Sequence, residues 1–298
     1  MVHFYTMNPT ITTVKSGKYT FQITDNTLFL RDEIYCRNFK IGGLNTDFVY
    51  VSVSHRDGVP VSACMPYLSH SPECSIELPL DKGHGSILMI KTLLRHVHKQ
   101  LPTLTEIHFE DKSRIECAND DDLYKSGSSM RKPGSHVYPI SLYYFSIAFN
   151  GETWYEKHFN ARHQKLAMHR KYKERVQTVL ENPTTKSAMT FLQFLQIAAP
   201  PVEIATELES YYTNSNTFNE FFQSIPKPDR CRLVRNWVEE FMKIQLKDAF
   251  NNLDWVIELP VPFLGGGKRN TRRRYYCPKC RVVRNTTHKS IGVDAMDV

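Results

Sequence analysis

A glycine-punctuated turn, Lys82 to Gly85, has the spacing best suited to binding chemistry. Residues 75–80 before it predict a short strand, and the apolar spacing after it predicts a helix over residues 86–101. Unpaired N–H groups and the positive end of a helix dipole meet at such a turn. We therefore expect Lys82, Gly83, His84 and Gly85 to hold an anionic ligand. The alternative is a turn that needs glycine only for its backbone angles.

Cys277 and Cys280 have the C-P-x-C spacing of a zinc half-site, because two thiolates on a tight turn can share one Zn²⁺. His288 is a candidate third ligand. The pair also fits a degenerate half-site or a redox-active C-x-x-C motif. A fourth zinc ligand has to come from another chain or from one of three cysteines elsewhere: Cys64, Cys74 or Cys231.

The same C-terminal segment carries basic residues without a single acid between residues 265 and 290. Such an arm makes contacts to phosphates that depend little on sequence, so we expect nucleic acid or an acidic protein surface as its partner. The basic residues are Lys268, Arg269, Arg272, Arg273, Arg274, Lys279, Arg281, Arg284 and Lys289.

A second basic segment spans residues 157–175, and Glu174 is its one acidic residue. Its density of cations, Lys171 among them, favours an acidic partner, although a solvated amphipathic helix gives the same pattern. The cations are Lys157, Arg162, Lys165, Arg170, Lys171, Lys173 and Arg175.

The elements that position these residues change character along the chain. Strand-like alternation at 48–53 and 59–65 flanks an Asp-Gly turn, and residues 106–110 predict a strand that carries His108 and Glu110. Beyond residue 160, four helical patterns are separated by prolines. We predict an α+β domain over residues 1–160, an all-α region over 161–260 and a basic tail over 261–298.

The hairpin, strand, glycine turn, helix and strand of residues 45–115 resemble the core of a GNAT-type N-acyltransferase, and the wider bound of this resemblance is residue 160. Gly83 and Gly85 match the two small positions of the family's Q/R-x-x-G-x-G/A turn, and Leu80 stands where the family has Gln or Arg. The resemblance implies a mixed sheet with flanking helices. It also implies that the turn binds the pyrophosphate of acetyl-coenzyme A and that the acetyl group passes to an amine.

The resemblance further implies a tyrosine that protonates the departing thiolate. Tyr155 is the preferred candidate, and Tyr124 lies in a second segment that imitates the family's pattern. Trp154, Tyr155 and Phe159 also have the spacing of core anchors on a helix. His108 and Glu110 are candidate general bases for an amine acceptor, although such residues on a strand are commonly solvated. Residues 150–160 faintly resemble uncharacterised proteins of large double-stranded DNA viruses.

The composition fits an intracellular protein. The net charge is +7, no apolar run is long enough to span a membrane, and the N-terminus lacks a signal layout. Seven cysteines, an odd number, predict reduced thiols rather than a disulfide framework. We expect a cytoplasmic or nuclear protein, or a virion-associated one; the sequence does not set its oligomeric state.

Two functions follow from these patterns. The favoured one is a non-catalytic or weakly catalytic protein that binds nucleic acid or an acidic partner on a GNAT-like scaffold. The alternative is an N-acetyltransferase that uses acetyl-coenzyme A. Leu80 in place of the family's Gln or Arg favours the non-catalytic or weakly catalytic binding protein.

Overall fold

The computed structural model describes residues 5–6, 8–29, 34–44, 47–68, 72–81, 83–117, 138–247, 250 and 254–261. These residues fall into two compact units. Unit 1 takes the described residues up to Glu110, together with His158–Gln164 and 254–261. Unit 2 takes the described residues of 111–157 and 165–250. The architecture is α+β, as the sequence predicts.

The described strands are β1 (Tyr5–Thr6), β2 (Thr10–Ser16), β3 (Tyr19–Phe29), β4 (Ile34–Gly42), β5 (Asp47–Arg56), β6 (Val59–Leu68), β7 (Glu106–Phe109), β8 (Arg114–Cys117), β9 (Tyr138–Ser141), β10 (Arg162–His163) and β11 (Trp255–Glu258). The described α-helices are α1 (His84–Gln100), α2 (Leu142–Asn150), α3 (Trp154–Phe159), α4 (Leu166–Glu181), α5 (Pro183–Ser187), α6 (Phe191–Ala198), α7 (Val202–Thr213), α8 (Phe218–Ser224), α9 (Arg230–Val234) and α10 (Val238–Leu246).

One mixed sheet dominates unit 1. Within the described part of the chain it has the order β1-β3-β4-β5-β6-β7-β11-β10, with β2 paired to β3. All pairs are antiparallel except β6 and β7, which α1 connects as parallel neighbours. Strands β10 and β11 lie inside the predicted helical region 161–260, and β11 pairs with β7 along its whole length. Residues far apart in the sequence therefore complete this sheet.

The β5–β6 hairpin confirms the predicted Asp-Gly turn. Asp57 and Gly58 have φ angles of 52° and 76°, which are the two positive values that a two-residue hairpin turn of this type requires. In β5, Val49, Val51 and Val53 are buried, whereas the residues between them point to the opposite face. The alternation of valine with Tyr and Ser thus gives the sheet one apolar and one polar face.

Helix α1 covers the apolar face. Its residues Met89, Ile90, Leu93, Leu94 and Val97 are fully buried. The ring of Phe39, which lies on the Val51 face, is 6.0 Å from the ring of His96 in α1. Packing of an amphipathic helix stripe against a sheet face is the main source of stability for such a helix.

Unit 2 is built around aromatic side chains from several helices. The Phe194 ring lies 5.0–5.5 Å from four others, those of Tyr212, Phe221, Trp237 and Phe241. The helices begin where the sequence supplies caps: Thr190 and Gln193 form a capping box at α6, and Thr217 accepts from the Glu220 N–H at α8. Residues 140–149, whose periodicity fits helix or strand, are mostly helical.

Two predictions are wrong. Residues 75–80 form no strand: the Ile76 N–H donates to the Thr20 carbonyl, but Pro79 has no N–H to extend a ladder. Cys117 and Cys231 form a disulfide across 114 residues of sequence, so these two are not reduced thiols and Cys231 is not available as a zinc ligand. Within the described residues, no disulfide includes Cys36, Cys64 or Cys74.

Candidate functional site

The glycine turn forms the start of α1. Gly83 has a φ of 72° and precedes the first helical residue, His84, and the Ile87 N–H donates to the Gly83 carbonyl to close the first helical turn. A side chain at Gly83 would be strained in this left-handed conformation. Lys82, the remaining residue of the predicted anion site, lies outside the described residues.

Leu80 occupies the space beside the turn. It is buried, and a Cβ atom added to Gly85 would lie only 2.9 Å from both Cγ and Cδ1 of Leu80. Gly85 is therefore required for close packing against the residue that departs from the acyltransferase pattern. A buried apolar side chain therefore lies directly beside the backbone of Gly85, and an apolar neighbour disfavours the binding of pyrophosphate at this turn.

Asp81 adds a negative charge next to the same turn. Its carboxylate accepts a hydrogen bond from the Tyr19 hydroxyl and lies 2.8 Å from Lys18 Nζ. The hydrogen bonds from Lys18 and Tyr19 hold the pKa of Asp81 below its usual value, so the carboxylate stays ionised. A fixed carboxylate near a helix N-terminus competes with an external anion for the same dipole.

Tyr155, the predicted acid, lies in the core of unit 2. Only 2% of it is exposed, and its hydroxyl is 2.9 Å from Ser113 Oγ. Burial raises the pKa of the Tyr155 hydroxyl far above its ordinary value. Trp154 and Phe159 are buried as well, so the three aromatic residues lie where the core-anchor interpretation puts them. The catalytic role of Tyr155 stays a prediction.

The polar residues around Tyr155 have local structural roles. Gly151 ends α2 with a φ of 70°, and Thr153 and Glu156 form a reciprocal capping box at the start of α3. Glu156 also accepts hydrogen bonds from Tyr172 at 2.6 Å and from Lys173 at 3.2 Å. The T-x-x-E spacing was visible in the sequence and explains this segment without catalysis.

His108, the first predicted general base, lies on the polar face of the sheet with 26% of its side chain exposed. Its Nε2 is 3.0 Å from Oε1 of Glu106, a carboxylate that is 96% buried. Glu110 is exposed and lies one residue beyond the end of β7. The structure therefore brings His108 together with Glu106, which the sequence analysis missed. A Glu-x-His pair on a strand was the signal that could have found it.

Strand register places Cys64 directly opposite His108. A polar row runs across five strands in register, formed by Asn26, Asn38, Ser52, Cys64 and His108. Cys64 is half-buried and is not in a disulfide, and within the described residues it forms the register pair that joins β6 to β7. Because paired residues on neighbouring strands project to the same face, a thiol, an imidazole and a carboxylate share one surface.

Four of the seven cations in the basic segment 157–175 contact other groups of the protein. Lys157 donates to Asn150, Lys173 to Glu156 and Arg175 to the Gln245 carbonyl, and Arg162 pairs with Glu258. The cations of this segment that are exposed on α4 and its N-cap are Lys165, Arg170 and Lys171. The expected basic surface is thus smaller than the sequence suggests.

A basic stripe on α1 was missed by the sequence analysis. Lys91, Arg95 and Lys99 recur every four residues, and α1 contains no acidic residue. Arg95 and Lys99 are exposed and Lys91 is partly exposed. Burial and then repulsion from Arg95 lower the pKa of Lys91. The helix packs its apolar stripe on the sheet and presents these cations on its other side.

The zinc half-site and the basic tail lie outside the described residues. This holds for Cys277, Cys280 and His288, and equally for the predicted nucleic-acid contacts Arg272, Arg273, Arg274, Lys279, Arg281 and Arg284. Within the ranges that the structure describes, no group of three or more His, Cys, Asp or Glu side chains is arranged to hold a metal ion.

Comparison with known proteins gave no match: no family model, curated protein or solved structure aligns significantly with the chain. Over the described residues, the helices are too short or too polar to cross a membrane.

Proposed function

We propose that this protein binds a polyanion, a nucleic acid, through basic surfaces on an α+β scaffold. The observation that carries the proposal is the stripe of Lys91, Arg95 and Lys99 on α1. Three cations at four-residue spacing extend over about 12 Å of helix, a span that reaches several phosphates of a nucleic acid strand. The apolar face of α1 packs on the sheet, so the three cations of the stripe keep a fixed orientation relative to the sheet.

Two other sets of cations extend this proposal. Lys165, Arg170 and Lys171 are exposed on unit 2, and the basic tail supplies nine further cations. The net charge of +7 favours association with any polyanion, and the resulting affinity depends steeply on salt. Contacts of this kind go to phosphates, so we expect little dependence on base sequence.

A direct test is the charge-reversed double variant Arg95→Glu/Lys99→Glu. The matched control, Lys15→Glu/Arg56→Glu, makes the same change in net charge at exposed positions of β2 and β5 in the same unit. Binding to a 20-nucleotide single strand and a 20-base-pair duplex is measured by anisotropy from 25 to 300 mM salt. The stripe variant should bind about tenfold more weakly at low salt, with a salt slope shallower by about 2.

Equal losses in the stripe variant and its control would show that net charge alone drives binding. No binding by the wild-type protein at 25 mM salt would contradict the proposal. In that case a polyglutamate competitor in the same assay identifies an acidic protein surface as the alternative partner.

Acyl transfer on a GNAT-like scaffold is the second candidate function. The observation in its favour is the crossover from β6 through α1 to a parallel β7, which matches the hairpin–helix–strand order of the resemblance. Strands β6 and β7 share one register pair, Cys64 with His108, although β6 is ten residues long. Leu80 and Asp81 disfavour the binding of coenzyme A at the glycine turn. The second candidate function therefore requires that the acyl donor binds at another place on the protein.

A further inference from the structure

A pocket of about 210 Å³ opens in unit 2 at a place where three helices meet. Helix α8 packs there against both α2 and α4. The side chains of Val176 and Leu180 on α4 line the pocket and are buried, so part of its wall is apolar. A Cβ atom added to Gly151, which follows α2, would meet no atom within 4 Å. The space beside Gly151 is therefore open, whereas the space beside Gly85 is filled.

Three primary amides also line this pocket, those of Asn150, Gln177 and Asn219. The Asn150 amide is already used, because its Oδ1 accepts from Lys157 and its Nδ2 donates to the Ser146 carbonyl. The side chains of Gln177 and Asn219 make no hydrogen bond within the described part of the chain. A primary amide offers two N–H donors and a carbonyl acceptor. The pocket is thus suited to a ligand that carries hydroxyl groups or ring nitrogens.

Lys173 and Glu181 give the two ends of the pocket opposite charges. Both lie on α4, eight residues and hence about 12 Å apart along its axis. Lys173 donates to Glu156 at 3.2 Å, which leaves two N–H groups of the ammonium for a ligand. Glu181 is exposed and, among the residues that the structure describes, forms no ion pair. An anionic group therefore fits at the first end and a hydrogen-bond donor at the second.

The end of the pocket at Lys173 has more cations than acids around it. Arg170 is exposed and lies one turn before Lys173 on the same side of α4. Lys157 is exposed as well, and its Nζ is 3.2 Å from Oδ1 of Asn150 in the pocket wall. The acids near these three cations are Glu152 and Glu156. The excess of positive charge favours a phosphate group at this end.

We infer that this pocket binds one nucleotide whose base carries an exocyclic amino group. The phosphate lies at Arg170 and Lys173, the sugar hydroxyls face the amides, and the amino group donates to the Glu181 carboxylate. Adenine, guanine and cytosine have such an amino group, whereas uracil has a carbonyl oxygen that repels a carboxylate. The pocket is smaller than those that enclose drug-sized ligands, so the phosphate stays at its rim.

This inference goes beyond the polyanion binding proposed for the α1 stripe. The stripe lies in unit 1 and contacts phosphates, whereas the pocket lies in unit 2 and distinguishes bases. A free mononucleotide and the terminal nucleotide of a strand present the same groups to the pocket. The experiments on the two sites use different variants, so either proposal can fail without the other.

The first experiment titrates the full-length protein with AMP, CMP, GMP and UMP in a calorimeter. The three nucleotides with an amino group should each bind about tenfold more tightly than UMP. Glu181→Gln should bring the four affinities to within about threefold, because the glutamine amide donates to uracil as readily as it accepts from the other bases. The control Glu209→Gln removes an exposed carboxylate of α7 in the same unit and should keep the preference.

The second experiment locates the phosphate by comparing CMP with cytidine. Arg170→Gln should weaken the binding of CMP about fivefold and leave that of cytidine unchanged, since only CMP has the anionic group. The control is Lys171→Gln, an exposed cation about 100° further round α4, and it should change neither affinity. Equal losses for CMP and cytidine in Arg170→Gln would contradict this position of the phosphate.

Competition then separates the two sources of the nucleotide. In the stripe variant Arg95→Glu/Lys99→Glu, displacement of CMP by a 20-nucleotide strand of cytidines would assign the pocket to the end of a strand. Retention of CMP would assign it to free nucleotides. Circular dichroism of each variant verifies folding. The inference is overturned if no mononucleotide binds at about 10 mM, if UMP binds as tightly as the other three, or if ribose 5-phosphate binds as tightly as CMP.

Discussion

The glycine turn at the start of α1 and the polar row on the opposite face of the sheet differ in the sequence signal that marks each of them. The turn has a sequence motif, yet Leu80 packs into the space beside Gly85 and Asp81 supplies a carboxylate beside it. The row has no motif, yet strand register sets Cys64 opposite His108, whose Nε2 lies 3.0 Å from Glu106 Oε1. A local pattern predicts the backbone conformation; whether the resulting space is open depends on side chains that the pattern does not specify.

The segment around Tyr155, like the glycine turn, is closed by packed side chains. The largest predicted effect comes from Asp111, a neighbour of Tyr155. Burial raises the pKa of Asp111 to about 7, and within the described residues its Oδ2 has no hydrogen-bond donor. From the ordinary value of 3.8 up to about 7, the folded protein keeps a proton that the unfolded chain has released. The free energy of unfolding therefore falls as pH rises through this window, by about 1.4 kcal/mol per pH unit from this group, and is level above it.

Urea unfolding of wild type and Asp111→Asn between pH 4 and 8 measures this effect. The variant should lose this component of the pH dependence, and the exposed control Glu110→Gln should keep it. Parallel pH profiles for wild type and Asp111→Asn would mean that the region around Tyr155 is open to solvent, as a catalytic role for this tyrosine requires.

Gly85→Ala tests the closed turn. The added methyl group meets Leu80 at 2.9 Å, so we expect a loss of about 1–3 kcal/mol in the free energy of unfolding. Leu80→Ala removes the clash, so the double variant should be destabilised by less than the sum of the single variants. Additive losses in this cycle would show that Leu80 does not fill the space beside Gly85.

Tyr155→Phe has the smallest expected effect. It removes one buried hydroxyl contact with Ser113 and should cost about 1 kcal/mol of stability. Urea unfolding of the wild-type protein and the variant measures this cost, and acyl transfer from acetyl-coenzyme A to an amine is assayed in parallel. A loss of acyl transfer in a folded Tyr155→Phe protein would instead support the tyrosine as the acid.

Elements with strong local signals were predictable. The helix expected at 86–101 is α1 at His84–Gln100, and the hairpin with its Asp-Gly turn is β5 and β6. The prolines at 183, 201 and 226 stand at helix boundaries because proline lacks the N–H that a helix interior requires. These features depend on residues that are near one another in the chain.

Features that join distant residues were not predictable. The pairing of β7 with β11 joins residues about 150 positions apart, and the disulfide joins Cys117 to Cys231. Neither leaves a periodic trace in the sequence. The position of Cys64 opposite His108 was missed for the same reason: a strand's alternation shows which residues share a face, but only register shows which residue of the next strand lies opposite.

Binding of the 20-nucleotide strand by the wild-type protein, by Arg95→Glu/Lys99→Glu and by the control Lys15→Glu/Arg56→Glu tests the proposed function most directly. We predict that the variant of the α1 stripe binds about tenfold more weakly than the control variant at 25 mM salt, because the stripe contacts phosphates directly. Equal binding by the two variants, or no binding by the wild-type protein, would contradict this account.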